Sequence, residues 1–196
     1  MNDVLILDLS YGNTRSVALA FERLDATVTL SSNPSVVEQA ARVVLPGVGA
    51  AGVAMQRLRQ CGLDRVLRSR TRATLGICLG MQLMFDESEE DGGTALLGLL
   101  PGTVYALRPS PGFPVPHMGW SALKANSTDM GLDPGVHVYF AHSFVCPDGP
   151  ATAACATYGD ASIPAAVRSG AWWGAQFHPE RSSVAGSRFL QAFLRS

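Results

Sequence analysis

The stretch ATLGICLGMQLMF (Ala73–Phe85) joins an apolar run of strand length to the start of a helix, with a cysteine at the join and a glycine two positions to either side of it. A buried thiol needs no such glycines. A thiol that must stand clear of the backbone does, because a strand turning sharply into a helix tolerates only small residues beside the turn. The reading that follows is a strand, ATLGI, ending at Cys78, and a helix opened by LGMQLMF. In that geometry the helix N-terminus faces the sulfur and favours thiolate, and the Leu79 N–H can serve as one oxyanion donor.

Upstream, DVLILDL is a continuous apolar run suited to burial on both faces, as in a parallel sheet. TRSVALAFERL has near-helical spacing, ATVTLSS reads as a strand, and PSVVEQA as a short helix opened by proline. RVVLPG is a third strand, AAGVAMQRLRQ a helix, and Cys61 to Arg72 another. Strand and helix thus alternate up to about Phe85, which points to a doubly wound α/β arrangement. Beyond it, GTVYAL, MGWSALK, VHVYFAHSFV, ATAACATYG, IPAAVRSG and AWWGAQF are short strands punctuated by glycine and proline, before a last helix, SVAGSRFLQAFLRS. The expected fold is one α/β domain over residues 1–196, with a mixed, largely parallel central sheet flanked by helices.

Composition excludes several classes. A net charge of −1, with 16% charged and 47% hydrophobic residues, gives no electrostatic basis for binding nucleic acid or an anionic membrane. The arginines at 57, 59, 65, 68, 70 and 72 read as a solvated helix face. Cys61, Cys78, Cys146 and Cys155 lack CxxC spacing, which argues against a zinc site or disulfide framework, and no metal or other cofactor is expected. The N-terminus lacks signal-peptide features and no run approaches a membrane span, so the expected setting is the reducing cytoplasm.

A nucleophilic cysteine needs a base, and four histidines are available: His117, His137, His142 and His178. GAQFHPE is the most informative setting. An apolar strand delivers His178 to its end, Pro179 enforces an extended exit, and Glu180 can orient the imidazole. His142 reads as a pocket wall rather than a second base, and the other three cysteines as packing.

PGVG after the third strand, GICLGMQ, and FHPE near the C-terminus together resemble the class I, triad-type glutamine amidotransferases. More narrowly, GNTRSV, PHMGW, YFAHSF and FHPERSS resemble the glutaminase subunits of imidazole glycerol phosphate synthases, over roughly residues 4 to 194. The resemblance implies hydrolysis of L-glutamine through a γ-glutamyl thioester, with Cys78 as nucleophile, His178 as acid and base, and Glu180 holding the ring. It implies an oxyanion hole from the N–H groups of Val48 and Leu79, the former between Gly47 and Gly49. It matches Gln82 and Glu90 to ligands of the α-amino group, and Ser143 and Phe144 to a main-chain cradle for the carboxylate. It also implies a (β/α)₈ cyclase partner receiving the ammonia, with Asn13, Met118, Trp120, Tyr139 and Arg181 facing it.

Departures from the family pattern are Ser121 where Asn is usual, Arg181 where Lys is usual, and Phe144 where Tyr is more frequent. Arginine keeps the charge of lysine but aims it differently. Three further readings compete: an ammonia donor for a different synthase, a catalytically silent regulatory subunit, and a free-standing hydrolase. The intact Cys78, His178 and Glu180 weigh against a silent site. Gln82, Glu90 and PGVG suit a free amino acid better than a peptide.

Overall fold

The apolar run near the N-terminus forms β1 (Asp3–Leu7), and its residues part to opposite faces: Val4 and Ile6 join one buried cluster, Leu5 and Leu7 the other. A strand covered on both sides needs that pattern, since side chains alternate with a period of two. The computed structural model describes residues 2–9, 13–125 and 128–196; Ser10, Tyr11 and Gly12, within the SYGN and GNTRSV stretches, lie outside the described residues. Asn13 is described, and it caps α1 (Thr14–Glu22), its Oδ1 accepting from the Ser16 N–H at 3.3 Å.

Next come β2 (Thr27–Ser31), α2 (Pro34–Gln39), β3 (Val43–Gly47), α3 (Ala51–Gln60), α4 (Leu63–Ser69) and β4 (Thr74–Cys78). The helix expected between Cys61 and Arg72 is shorter because Gly62 turns at φ +69° and Arg70 leaves it in an extended conformation. That exit buries Arg70. Its guanidinium donates to Thr74 Oγ1 at 2.8 Å and to the carbonyls of Val37 at 2.7 Å and Ala40 at 2.5 Å, at the end of α2. Burial, with Arg72 beside it, lowers the Arg70 pKa to about 10. Arg70 therefore departs from the expected solvated face, while Arg57, Arg59, Arg65, Arg68 and Arg72 remain exposed on it. Arg59, Arg68 and Arg72 also donate to backbone carbonyls, tying helices to neighbouring loops.

After the turn α5 (Leu79–Gln82) the chain forms β5 (Glu87–Ser88), β6 (Thr94–Ala95), β7 (Thr103–Ala106), β8 (His117–Ala125), β9 (His137–His142) and β10 (Phe144–Val145). It ends with β11 (Thr152–Tyr158), β12 (Ala161–Ser169), β13 (Trp172–Ala175) and α6 (Ser183–Leu194). The main sheet has the order β2-β1-β3-β4-β13-β12-β11-β8-β9. The first five strands run parallel and the rest continue antiparallel, so the expected mixed sheet between helices is what forms. A second, small sheet has the order β10-β7-β5-β6. VHVYFAHSFV, expected as one strand, breaks at Ser143 into β9 in the main sheet and β10 in the small one.

One face of the main sheet is covered by α1 and α6, through Val17, Phe21, Phe189 and Phe193. The other is covered by α2, α3 and α4, through Val37, Met55, Leu58, Leu63 and Leu67. Each such side chain contributes roughly 1.5–3 kcal/mol on burial. The C-terminal ends of β3, β4 and β13 lie side by side, where open α/β sheets bind ligands. Among the described residues no helix is long and apolar enough to cross a membrane.

Candidate active site

Cys78 ends β4 at φ +52°, ψ −109°, a conformation that L side chains rarely adopt. Backbone held this way stores about 1–3 kcal/mol and persists only where its surroundings impose it. The flanking glycines show what imposes it. A Cβ on Gly80 would lie 1.9 Å from the Leu45 carbonyl oxygen, and one on Gly76 would lie 2.4 Å from that of Gly80. The turn after Cys78 is therefore pressed directly onto β3 and β4. Gly47 belongs to the same contact, because its Cβ would meet Leu79 Cβ at 2.8 Å.

The helix expected over LGMQLMF is a single turn, Leu79–Gln82, followed by turns in which Met84 N–H donates to Met81 and Phe85 N–H to Gln82. So short a helix has a small macrodipole. Charge on the sulfur must then be met by side chains. His178 supplies the first, and the backbone carries it there. Its N–H donates to the Tyr139 carbonyl at 2.8 Å, and a 3₁₀ turn at Pro179–Arg181 follows. Ser182, missed in the sequence, locks this corner: its hydroxyl donates to the His178 carbonyl at 2.6 Å and accepts from the Tyr139 N–H at 3.0 Å.

His178 Nδ1 lies 2.9 Å from Glu180 Oε1, with the Glu180 side chain 1% exposed. The imidazole is also near enough to Cys78 for the two groups to interact. Burial alone would lower the His178 pKa, but the interactions with Cys78 and Glu180 overcome it and raise the value to about 10. Sulfur, imidazole and carboxylate are thus neighbours in space. The sulfur has two more neighbours, the Ala141 carbonyl at 3.8 Å and the Gln176 side-chain amide nitrogen at 3.7 Å.

A cleft of about 280 Å³ opens at the sulfur. Its walls bring together Val48, Gly49, Leu79, Gln82, Glu90, Ser143 and Phe144. Gly47 is beneath the elbow rather than in the cleft wall, so only Gly49, at φ +92° with open space around it, leaves the Val48 peptide room to turn. Both amide hydrogens of Gln82 are engaged, with the Phe144 carbonyl at 3.0 Å and Gln176 Oε1 at 3.1 Å, which leaves its oxygen to accept from a ligand. Glu90 is pinned by one oxygen to the Ala51 N–H at 2.6 Å, at the start of α3, a helix whose own N-cap is an alanine. A carboxylate placed this way is preorganised across the cleft from Cys78.

His142 forms a wall, as expected, but within a buried chain not foreseen. The Phe144 carbonyl can only accept, so His142 Nδ1 carries the proton at 2.9 Å. His142 Nε2 then accepts from His117 Nδ1 at 3.1 Å, and His117 Nε2 accepts from the Ser121 hydroxyl at 2.9 Å. Burial lowers both imidazoles to about 4, which keeps them neutral.

The residues expected to face a partner divide. Met118 and Trp120 on β8 are 62% and 52% exposed, and Trp120 pairs with Tyr139 on β9. The Arg181 guanidinium lies 4.7 Å over the Tyr139 ring, so these four form one aromatic and cationic patch beside the His178 corner. Asn13 instead has a local task, capping α1. Among the described residues no group of His, Cys, Asp or Glu is arranged to hold a metal ion.

The class-I glutamine amidotransferase family pattern matches residues 5–196. The imidazole glycerol phosphate synthase subunit HisH of Yersinia pseudotuberculosis is 42% identical over 98% of each chain. Subunit HisH 1 of Vibrio vulnificus is 44% identical over 97% of each. Among solved structures, a crystal structure of a glutamine amidotransferase superposes with a TM-score of 0.77 at 22% identity, covering 98% of this chain and 97% of that one. PurLQS from Thermotoga maritima reaches 0.70 at 18%, with 98% and 97% covered. At those identities the solved structures speak to the fold alone.

Proposed function

The chain belongs to the class-I glutamine amidotransferases, and from that membership we propose that it is the glutaminase subunit of an imidazole glycerol phosphate synthase. The observation that carries the reading is the placement of Cys78 in the cleft wall with the Glu180-bound His178 imidazole near enough to interact with it.

The reaction follows from these groups. The Cys78 thiolate attacks the side-chain carbonyl carbon of L-glutamine, and the resulting oxyanion is met by the N–H groups of Leu79 and Val48. His178 gives its proton to the departing nitrogen, the C–N bond breaks, and ammonia leaves a γ-glutamyl thioester on Cys78. Water then attacks the thioester while His178 takes its proton, and the C–S bond breaks to release glutamate. Glu180 keeps the ring in the tautomer and orientation both steps require. The free oxygen of Gln82 and the Glu90 carboxylate hold the α-ammonium, and the main chain at Ser143 and Phe144 holds the α-carboxylate.

Ammonia passes to a (β/α)₈ cyclase subunit, which uses it to form imidazole glycerol phosphate and AICAR. The patch of Met118, Trp120, Tyr139 and Arg181 is the docking surface for that subunit, and the setting is the cytoplasm. The test is copurification with the cyclase of the same organism and measurement of glutamate release. The expected result is a one-to-one complex whose glutaminase activity rises when the cyclase binds its phosphoribosyl ligand and vanishes in Cys78→Ala. Failure to associate, or glutamate release surviving Cys78→Ala at the wild-type rate, would overturn the reading.

A further inference from the structure

We infer that Gln176 is a positioning residue for the nucleophile: its side-chain amide, oriented by a fixed chain of hydrogen bonds, holds the Cys78 sulfur as a thiolate. The inference rests on Cys78 being the nucleophile, as proposed above. Gln176 is fully buried, a polar side chain at the end of an otherwise apolar strand, two positions before His178. Buried amides sit where their hydrogen bonds are satisfied, so the direction of this one can be worked out.

The Phe144 carbonyl is an acceptor only, so Gln82 must turn its NH₂ toward it, at 3.0 Å. The second hydrogen of that NH₂ then meets Gln176 Oε1 at 3.1 Å. The Cys146 thiol approaches the same oxygen at 4.0 Å, and burial, reinforced by Cys78, pushes its ionisation well up, so it remains an S–H donor. With its oxygen claimed from two sides, Gln176 has to present its NH₂ to Cys78, 3.7 Å from Sγ.

On another side the sulfur has the Ala141 carbonyl at 3.8 Å. A thiol donates to that oxygen, whereas a thiolate is repelled by it. The Gln176 N–H acts in the opposite sense, since a donor binds an anion more strongly than a neutral sulfur. Together with His178 it gives the thiolate a second donor and fixes rotation about the Cα–Cβ bond. The one-turn α5 cannot supply that stabilisation from its dipole.

The test uses the whole chain and iodoacetamide, following carbamidomethylation of Cys78 by peptide mass spectrometry from pH 5 to pH 10. Gln176→Leu removes the donor at similar size, and Gln176→Glu replaces it with an acceptor. The expected result is an upward shift of the alkylation midpoint, larger for Glu, with the rate at pH 7 falling roughly three- to tenfold in Gln176→Leu. Folded variants with the wild-type midpoint would overturn the inference. Should both variants unfold, the ¹⁵N side-chain resonance of Gln176 in the wild-type protein decides. It is expected to titrate with Cys78 and to lose that response in Cys78→Ala, and a resonance indifferent to pH overturns the inference. Alkylation requires no glutamine turnover. A shifted midpoint in the variants, alongside a wild-type chain that releases no glutamate even with the ligand-loaded cyclase present, would therefore sink the glutaminase reading and leave this one standing.

Discussion

Replacing Gly80 with alanine should collapse the elbow. The added Cβ would lie 1.9 Å from the Leu45 carbonyl oxygen, and Leu45 sits in β3, which is paired on one side with β1 and on the other with β4. The oxygen cannot retreat, so α5 must move away by roughly 1.5 Å to reach ordinary contact. That displacement lifts the buried Leu79 and Met81 from their packing and removes the constraint that holds Cys78 at positive φ. Overpacking of about 1–3 kcal/mol, combined with this lost burial, gives a destabilisation on the order of 3–5 kcal/mol. For a chain of this size each kcal/mol lowers Tm by about 2–4 °C, so the expected fall is roughly 6–20 °C. Calorimetry measures it, and the rate of Cys78 alkylation reports the elbow separately. Gly149→Ala is the control, with nothing within 4 Å of its Cβ and a change of about 0.5 kcal/mol or less expected. A Gly80→Ala protein melting within about 2 °C of wild type, with Cys78 equally reactive, would refute the steric argument.

Four further outcomes follow from the same geometry. Cys78→Gly should be more stable than Cys78→Ala by about 1 kcal/mol, because only glycine adopts φ +52°, ψ −109° without strain; equal melting temperatures would count against strain at the elbow. His178, raised to about 10 from 6.5, stabilises the fold fully below about pH 6.5 and loses that contribution as pH rises through about 10. Its ring should read as protonated at pH 8 by NMR and titrate lower in Cys78→Ala, and a wild-type value near 6.5 contradicts the assigned contacts. His117 and His142, lowered to about 4, take up protons more readily unfolded, so stability should decline from pH 6.5 toward pH 4, by at most about 1.4 kcal/mol per unit for each. Urea midpoints equal at pH 7 and pH 5 would show that the buried pair does not matter. Arg70→Lys keeps a charge but cannot reach the carbonyls of Val37 and Ala40 together with Thr74, and should cost about 3 kcal/mol by chemical denaturation; a loss under 1 kcal/mol would deny the guanidinium its role.

What could be read from the chain in advance was whatever local rules control. The first, third and fourth strands announced themselves as apolar runs, and Pro34 marked a helix start. Cys78 was legible because a nucleophile elbow requires small residues within two positions. What failed did so where distant groups compete with local propensity. Arg70 had the pattern of a helix residue, but five backbone and side-chain acceptors elsewhere in the chain drew it out of the helix. LGMQLMF had helical composition, yet Leu83, Met84 and Phe85 turn away to bury in the cluster beneath α3 and α4. The short strands β5 and β6 carry no strand pattern of their own, and pairing of β5 with β7 draws them into the small sheet.

By itself, then, the order of residues determined where most of the strands and helices would lie, where the backbone had to turn at Cys78, and which side chains carried usable chemistry. Periodicity, glycine and proline act within a few positions. Tertiary structure alone decided which groups surround the sulfur. Ala141, Gln176 and His178 come from strand ends far from Cys78 in the chain, and their protonation states are set by burial and by one another. Hydrogen bonding and charge act over ångströms in space, and spacing along a chain does not encode that distance.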